Sequence, residues 1–256
     1  MLLAINIGNS TVAWGLFEQE ELRHHGHVST DPARSYEAYA DIFRTWLKDR
    51  GLAASSVDRA ILSSVVPTLT PTMQRLADAH SKAPSRLVSA DFSSGLTLRY
   101  ATPQTLGCDR LVVAAAAFHR HRQAVIVVDL GTATTFNVVT RHGEFLGGAI
   151  APGLALSAEA LATGTAQLPR VEMTAPTTVI SRETAANIQS GLMYGHACMV
   201  DGMVARMRAE LGGQALAIAT GGWSTLLKPL CHTLDETAPF LALEGLALLD
   251  RLNVPR

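Results

Sequence analysis

The 256-residue chain is 48% hydrophobic and 17% charged, and its 21 basic and 22 acidic residues leave a formal charge of −1. That composition fits a well-filled core in one large domain or two small ones. The charge balance gives no footing for bulk nucleic-acid binding, and no apolar run approaches the roughly 20 residues that cross a bilayer.

Residues 2–7, 11–17 and 21–29 read as a strand meander. A helix follows, with Asp31 as its cap, Pro32 in its first turn and Gly51 at its end. Tyr36, Tyr39, Ala40, Phe43, Trp46 and Leu47 share one face at helical spacing. Residues 60–66 form a β-branched strand stopped by Pro67. A helix is expected over 70–81, with Pro71 in its first turn, and a short strand over 87–89. Residues 93–107 read as a functional loop, or a short strand with a loop. Residues 108–119 form an alanine-rich helix. The pattern then restarts. Strands at 124–129, 134–140 and 144–151 make a second meander, Gly153 opens a helix, and 181–211 is a long helical stretch. A strand over 215–219 ends in Thr220-Gly221-Gly222, and 240–252 is a closing helix. Met193, Met199, Met203 and Met207 recur at near-helical spacing, which suits core or subunit packing. Cys108, Cys198 and Cys231 have neither metal-ligand nor disulfide spacing. The N-terminus enters a strand without a basic region or cleavage site. A soluble cytoplasmic protein is therefore expected, divided near the 108–119 helix into halves 1–115 and 116–256.

The restart carries chemistry with it. Asn6-Ile7-Gly8-Asn9-Ser10-Thr11 corresponds to Asp129-Leu130-Gly131-Thr132-Ala133-Thr134. Both segments follow an apolar strand and lead into a second one. Gly-led turns with short hydroxyl and amide side chains expose donors suited to phosphate oxygens. Either turn alone could be an ordinary β-turn. The repeat in matching strand context points to a duplicated domain with a nucleotide between its halves. Gly107-Cys108-Asp109-Arg110 stands at a helix start. An acid there is favoured by the helix dipole in any protein. Beside a substrate hydroxyl it could also serve as general base, and a neighbouring guanidinium could hold a substrate carboxylate. The run 147–153 is a glycine-rich turn between strand and helix, and Gly221-Gly222 could make room for a base or ribose.

Taken together, these motifs resemble the type III pantothenate kinases of the acetate and sugar kinase/Hsp70/actin superfamily. The resemblance rests on INIGNST at 5–11, SSVVPTLT at 63–70, YATPQTLGCDR at 100–110 and VVDLGTATTFNVV at 127–139. It continues through GGAIAPGL at 147–154, TGTAQLPRV at 163–171, ETAANIQSGLMYG at 183–195 and TGG at 220–222. It implies an α/β fold of duplicated ribonuclease-H-like (actin-like ATPase) domains, each a mixed sheet flanked by helices. It also implies a homodimer that phosphorylates pantothenate with ATP, Mg²⁺ and a monovalent cation, K⁺ or NH₄⁺. Asp109 matches the family's general base. Tyr100, Gly107, Arg110 and Thr184 match pantothenate-pocket positions. Gly8, Asn9, Ser10, Thr11, Gly131, Thr132, Thr134, Gly221 and Gly222 match nucleotide and phosphate positions, and Asp129 matches the acid of the monovalent-cation site.

One departure stands out. The family pattern has Asp where this chain has Asn6, at a position implied to help place Mg²⁺ and the phosphates. Asn keeps a carbonyl acceptor and loses the charge. The expected outcomes are a slow enzyme, a compensated site or a chain altered to trap a complex. A catalytically impaired relative, acting as a ligand-binding or regulatory protein, is the alternative. A sugar or acetate kinase fits the short chain and the 100–110 segment less well.

Overall fold

A computed structural model describes residues 1–89 and 92–254. Its contacts divide the chain into two units. The first comprises Met1–Leu96, Ala101–Ala116 and Leu241–Arg256, and the second Thr97–Tyr100 and Ala117–Phe240. By contact, the closing helix therefore groups with the first half of the chain.

The first unit is built on β1 (Leu2–Ile7), β2 (Thr11–Glu18), β3 (Glu21–Ser29), β4 (Arg59–Ser64) and β5 (Arg86–Leu87), in the order β3-β2-β1-β4-β5. β1 lies antiparallel to β2 and parallel to β4. A central strand is covered on both faces, which is why LLAINI is almost continuously apolar. Leu3, Ile5 and Ile7 face Tyr39, Phe43 and Trp46 of α1 (Tyr36–Lys48) and Met73 and Leu76 of α2 (Thr70–His80). Leu2 and Ala4 face the other way. They join Val112 and Ala115 of α3 (Cys108–His121) and Leu243, Leu246 and Leu249 of the closing helix. A buried carboxylate paired with partly exposed guanidinium groups anchors that helix. Asp250 is 1% exposed, bonds the Arg86 guanidinium and lies 3.2 Å from Arg59 Nη2.

The start of α1 differs from expectation. Its cap is Ser35, whose Oγ accepts the Ala38 N–H at 3.2 Å. Asp31 instead accepts the Ala33 N–H at 3.0 Å. This is a local Asx turn that competes with helix entry and delays it by four residues.

The second unit contains β6 (Thr97–Leu98), β7 (Val125–Leu130), β8 (Ala133–Val139), β9 (Glu144–Pro152), β10 (Leu216–Thr220) and β11 (Glu236–Thr237), in the order β11-β10-β7-β8-β9-β6. Read from β9, the run β9-β8-β7-β10-β11 repeats β3-β2-β1-β4-β5 strand for strand. The two units are thus duplicated ribonuclease-H-like mixed sheets with flanking helices. Gly153 is the N-cap of α4 (Leu154–Gly164), as expected. The long helix α5 (Thr184–Glu210) packs Ile188, Met193, Val200 and Val204 against Ile126, Val128 and Leu130 of β7. Met207 and the partly buried Met199 and Met203 belong to the same core. Sequence periodicity gave no sign of the two-residue β11 or of the one-turn helix α6 (Ser224–Leu227). The closing helix of the first unit is α7 (Leu241–Leu252). Among the described residues, no helix is long and apolar enough to cross a membrane.

Candidate active site

Asn6 and Asp129 occupy matched places. Each is the penultimate residue of its central strand. Asn6 pairs with Ala13 and Ser63, and Asp129 with Thr135 and Thr220. The hairpin turns follow directly. Gly8 donates its N–H to Thr11 O at 3.0 Å, and Gly131 donates to Ala133 O at 3.2 Å. These glycine donors, expected to face phosphate, are taken up in closing the turns. The Asn9 N–H has no acceptor among the described residues, and Asn9, Ser10 and Thr11 are exposed. Thr30 braces the first turn, giving its Oγ1 hydrogen to Gly8 O at 2.6 Å and its N–H to Ser10 O at 3.0 Å. One hydroxyl–carbonyl and one amide–carbonyl bond from the same residue hold the turn in one shape before any ligand arrives.

In the second unit the Gly131–Thr132 turn is tied at two points. Gly153 N–H bonds Thr132 O at 3.1 Å, and Trp223 N–H bonds Leu130 O at 3.0 Å. Gly221 has φ +86, and any Cβ there would strike Asp129 Oδ1 and the Leu130 carbonyl. Only glycine lets the 220–222 turn approach the carboxylate so closely. Asp129, Gly131, Thr132, Gly221 and Gly222 are therefore gathered at one end of the second sheet. Thr134 is different. Its side chain lies on the same strand face as Phe136 and Val138, is 1% exposed, and shares a 2.8 Å hydrogen bond with His196 Nε2 of α5. Strand alternation turns that hydroxyl into the core and away from the phosphate role expected of it. Burial holds the His196 pKa below its ordinary value, so a neutral ring meets the hydroxyl.

The acid of the 107–110 segment sits in the first turn of α3, where the N-terminal end of the helix dipole favours a carboxylate. Asp109 Oδ1 accepts the Arg110 N–H at 2.8 Å. A Cβ at Gly107 would lie only 2.5 Å from the same oxygen, so a glycine there leaves the carboxylate room. Burial raises the Asp109 pKa, while the Arg110 N–H and the Arg110 charge oppose the rise. A carboxylate held above its usual range is a stronger base toward a hydroxyl. Arg110 is itself buried. Cys108 Sγ donates to Ser64 O at 3.2 Å, and the Val65 N–H bonds Ile7 O at 3.0 Å. Through these bonds the head of α3 adjoins the strand ends that carry Asn6 and the first hairpin. Ser63 opens the 63–70 motif, which assigned it no role. It is fully buried, with its Oγ 2.5 Å from Asn6 Oδ1.

Tyr100 belongs to the second unit, its ring 6.1 Å from that of Phe145 and closely covering Gly147. Thr184 opens α5 and is exposed. Among the described residues, no three His, Cys, Asp or Glu side chains converge.

Two sheets that share a five-strand order, each with a braced Gly-led hairpin at the end of its central strand, define the actin-like ATPase fold. In fold the chain is similar to the inorganic polyphosphate/ATP-glucomannokinase of Arthrobacter sp. strain KM (TM-score 0.52, 15% identity, 99% of each chain covered). It is also similar to a conserved protein of the Baf family of transcriptional activators from Campylobacter jejuni (TM-score 0.62, 17% identity, 98% of each chain covered). Within this class, the family model of the type III pantothenate kinases matches residues 2–206. The type III pantothenate kinase of Anaeromyxobacter sp. (strain Fw109-5) is 42% identical over 253 residues, covering 99% of this chain and 100% of that one. The corresponding protein of Geobacter sp. (strain M21) is 39% identical over the same length and coverage. The chain belongs to the type III pantothenate kinase family.

Proposed function

We propose that this chain transfers the γ-phosphoryl group of ATP to the primary hydroxyl of pantothenate, giving 4′-phosphopantothenate and ADP at the start of coenzyme A synthesis. The observation that carries the reading is family membership along nearly the whole chain, joined to a desolvated acid at a helix head.

In this reading Asp109 accepts the hydroxyl proton as the hydroxyl oxygen bonds to the γ-phosphorus and the bond to the ADP oxygen breaks. Arg110 pairs with the pantothenate carboxylate, a geometry guanidinium favours. Gly107, Tyr100 and Thr184 shape the acceptor pocket. Gly8, Asn9, Ser10 and Thr11 attend the phosphates in one half, and Gly131, Thr132, Gly221 and Gly222 attend the nucleotide in the other. Positioning and electrostatics are most of what a protein contributes to phosphoryl transfer. A divalent cation, when bound, neutralises charge on the phosphate oxygens. Mg²⁺ keeps several waters and needs only one or two carboxylates besides phosphate oxygens, so a site with few protein acids suits it. Asp129 is assigned to the monovalent cation, K⁺ or NH₄⁺. A cytoplasmic homodimer is the expected form. Nothing in the comparisons favours an impaired binding protein over the kinase.

The test is ADP release by the purified chain with ATP, Mg²⁺ and K⁺, comparing pantothenate with glucose and acetate as acceptors. Pantothenate alone should support turnover. Release driven by a sugar or by acetate would reassign the chain within its class.

A further inference from the structure

The matched position at which the two halves differ bears on how this chain holds its nucleotide. Ser63 is fully buried, and a buried hydroxyl must place its proton on an acceptor. Among the described residues, its one hydrogen-bond partner is Asn6 Oδ1, 2.5 Å away. Turning the amide over would set Nδ2 against the hydroxyl and strand the Ser63 proton. The bond therefore directs Oδ1 to Ser63 and Nδ2, with its two N–H donors, away from it. Asn6 is half-buried, and Nδ2 meets no protein acceptor among the described residues.

We infer that Asn6 acts in this chain as a hydrogen-bond donor to a phosphate oxygen of the nucleotide, and that Ser63 is the positioning residue that holds the amide in that orientation. The inference rests on the kinase reading above. An aspartate in the same place would accept the Ser63 proton on one oxygen and present a second, negative oxygen. That arrangement suits a cation and repels a phosphate. Asn6 reverses the preference: its free face is donor-only and needs no bridging metal. The cation-facing carboxylate is kept at the matched position of the other half, Asp129, where Gly221 leaves it room. The amide is thus a compensated replacement and not a lesion.

The test is calorimetric titration of the full chain with ATP, once in EDTA and once in excess Mg²⁺, for the wild type, Asn6→Asp, Ser63→Ala and the double variant. Asn6→Asp is isosteric and keeps the Ser63 bond. It should weaken metal-free ATP binding about tenfold, the scale of one hydrogen bond to a charged group, and the deficit should shrink in Mg²⁺. Ser63→Ala should weaken metal-free binding about threefold, within the range of one net hydrogen bond, with pantothenate binding unchanged. In the double variant the two losses should not add, since both act on one contact. Metal-free binding by Asn6→Asp as tight as that of the wild type would overturn the donor role. An unchanged Ser63→Ala, or a loss equal for ATP and pantothenate, would overturn the positioning role. Failure of the wild type to bind ATP in either buffer would overturn the kinase reading itself, and the inference with it.

Discussion

Replacing Asp109 with asparagine should separate chemistry from folding. Asn fills the same space, and its Oδ1 can still accept the Arg110 N–H that Asp109 Oδ1 now accepts at 2.8 Å. Helix α3 and the Gly107 turn should therefore keep their shape. What is lost is the ability to take a proton. A positioned general base is worth about 10²–10⁴-fold in rate, so kcat should fall by about 3–5 kcal/mol of barrier at 1.36 kcal/mol per decade. The KM for ATP should hardly move. The stability effect has the opposite sign. The folded-state pKa of Asp109 is raised, chiefly by burial. The ionised carboxylate therefore costs folding free energy at any pH above its unfolded value. Asn removes that charge, so the thermal midpoint should hold or rise. Steady-state kinetics and thermal unfolding on one preparation measure both. A variant that keeps a tenth or more of the wild-type kcat would remove Asp109 as base. A variant that loses activity and several degrees of midpoint together would show that Asp109 is structural.

The same raised pKa predicts the acid limb of the pH profile. The base works only when deprotonated, so kcat/KM for pantothenate should fall as pH drops through a midpoint above the ordinary Asp value of about 3.9. Asp109→Asn should abolish that limb, and a limb that persists would belong to another group. Arg110→Ala should raise the pantothenate KM far more than the ATP KM, and equal changes in both would exclude the carboxylate clamp. Asp250→Ala leaves the partly buried Arg86 without its carboxylate. Breaking a buried pair costs about 3–5 kcal/mol, and Arg86 keeps the Asn253 and Asp250 carbonyls, so about 3 kcal/mol is expected by urea unfolding. A loss under 1 kcal/mol would show that α7 is held by its apolar face alone.

The fold was legible wherever burial imposes a period or a run. LLAINI and VIVVDL read as central strands because both faces are covered, and the repeat of the two hairpins foretold the repeated sheet order. The start of α1 was less legible because Asp31 and Ser35 are both good caps and only tertiary context chooses between them. β11 has two residues, too few for any period. At the site, the glycines and Asp109 were visible as motif residues. The inward turn of the Thr134 hydroxyl follows from its position opposite a helix far along the chain, and its partner His196 lies 62 residues away. Ser63 sits 57 residues from Asn6. A buried serine in a strand carries no local signal, and only the parallel pairing of β1 with β4 reveals what it orients.

The most direct measurement is identification of the product when the wild-type chain, with Asn6 in place, is incubated with ATP, Mg²⁺, K⁺ and pantothenate. Mass spectrometry with phosphorus NMR should show one phosphate on the primary hydroxyl of pantothenate, with ADP formed in equal amount. Tight binding of both ligands with no phosphorylated product would contradict the account and make this chain a binding protein on a kinase scaffold.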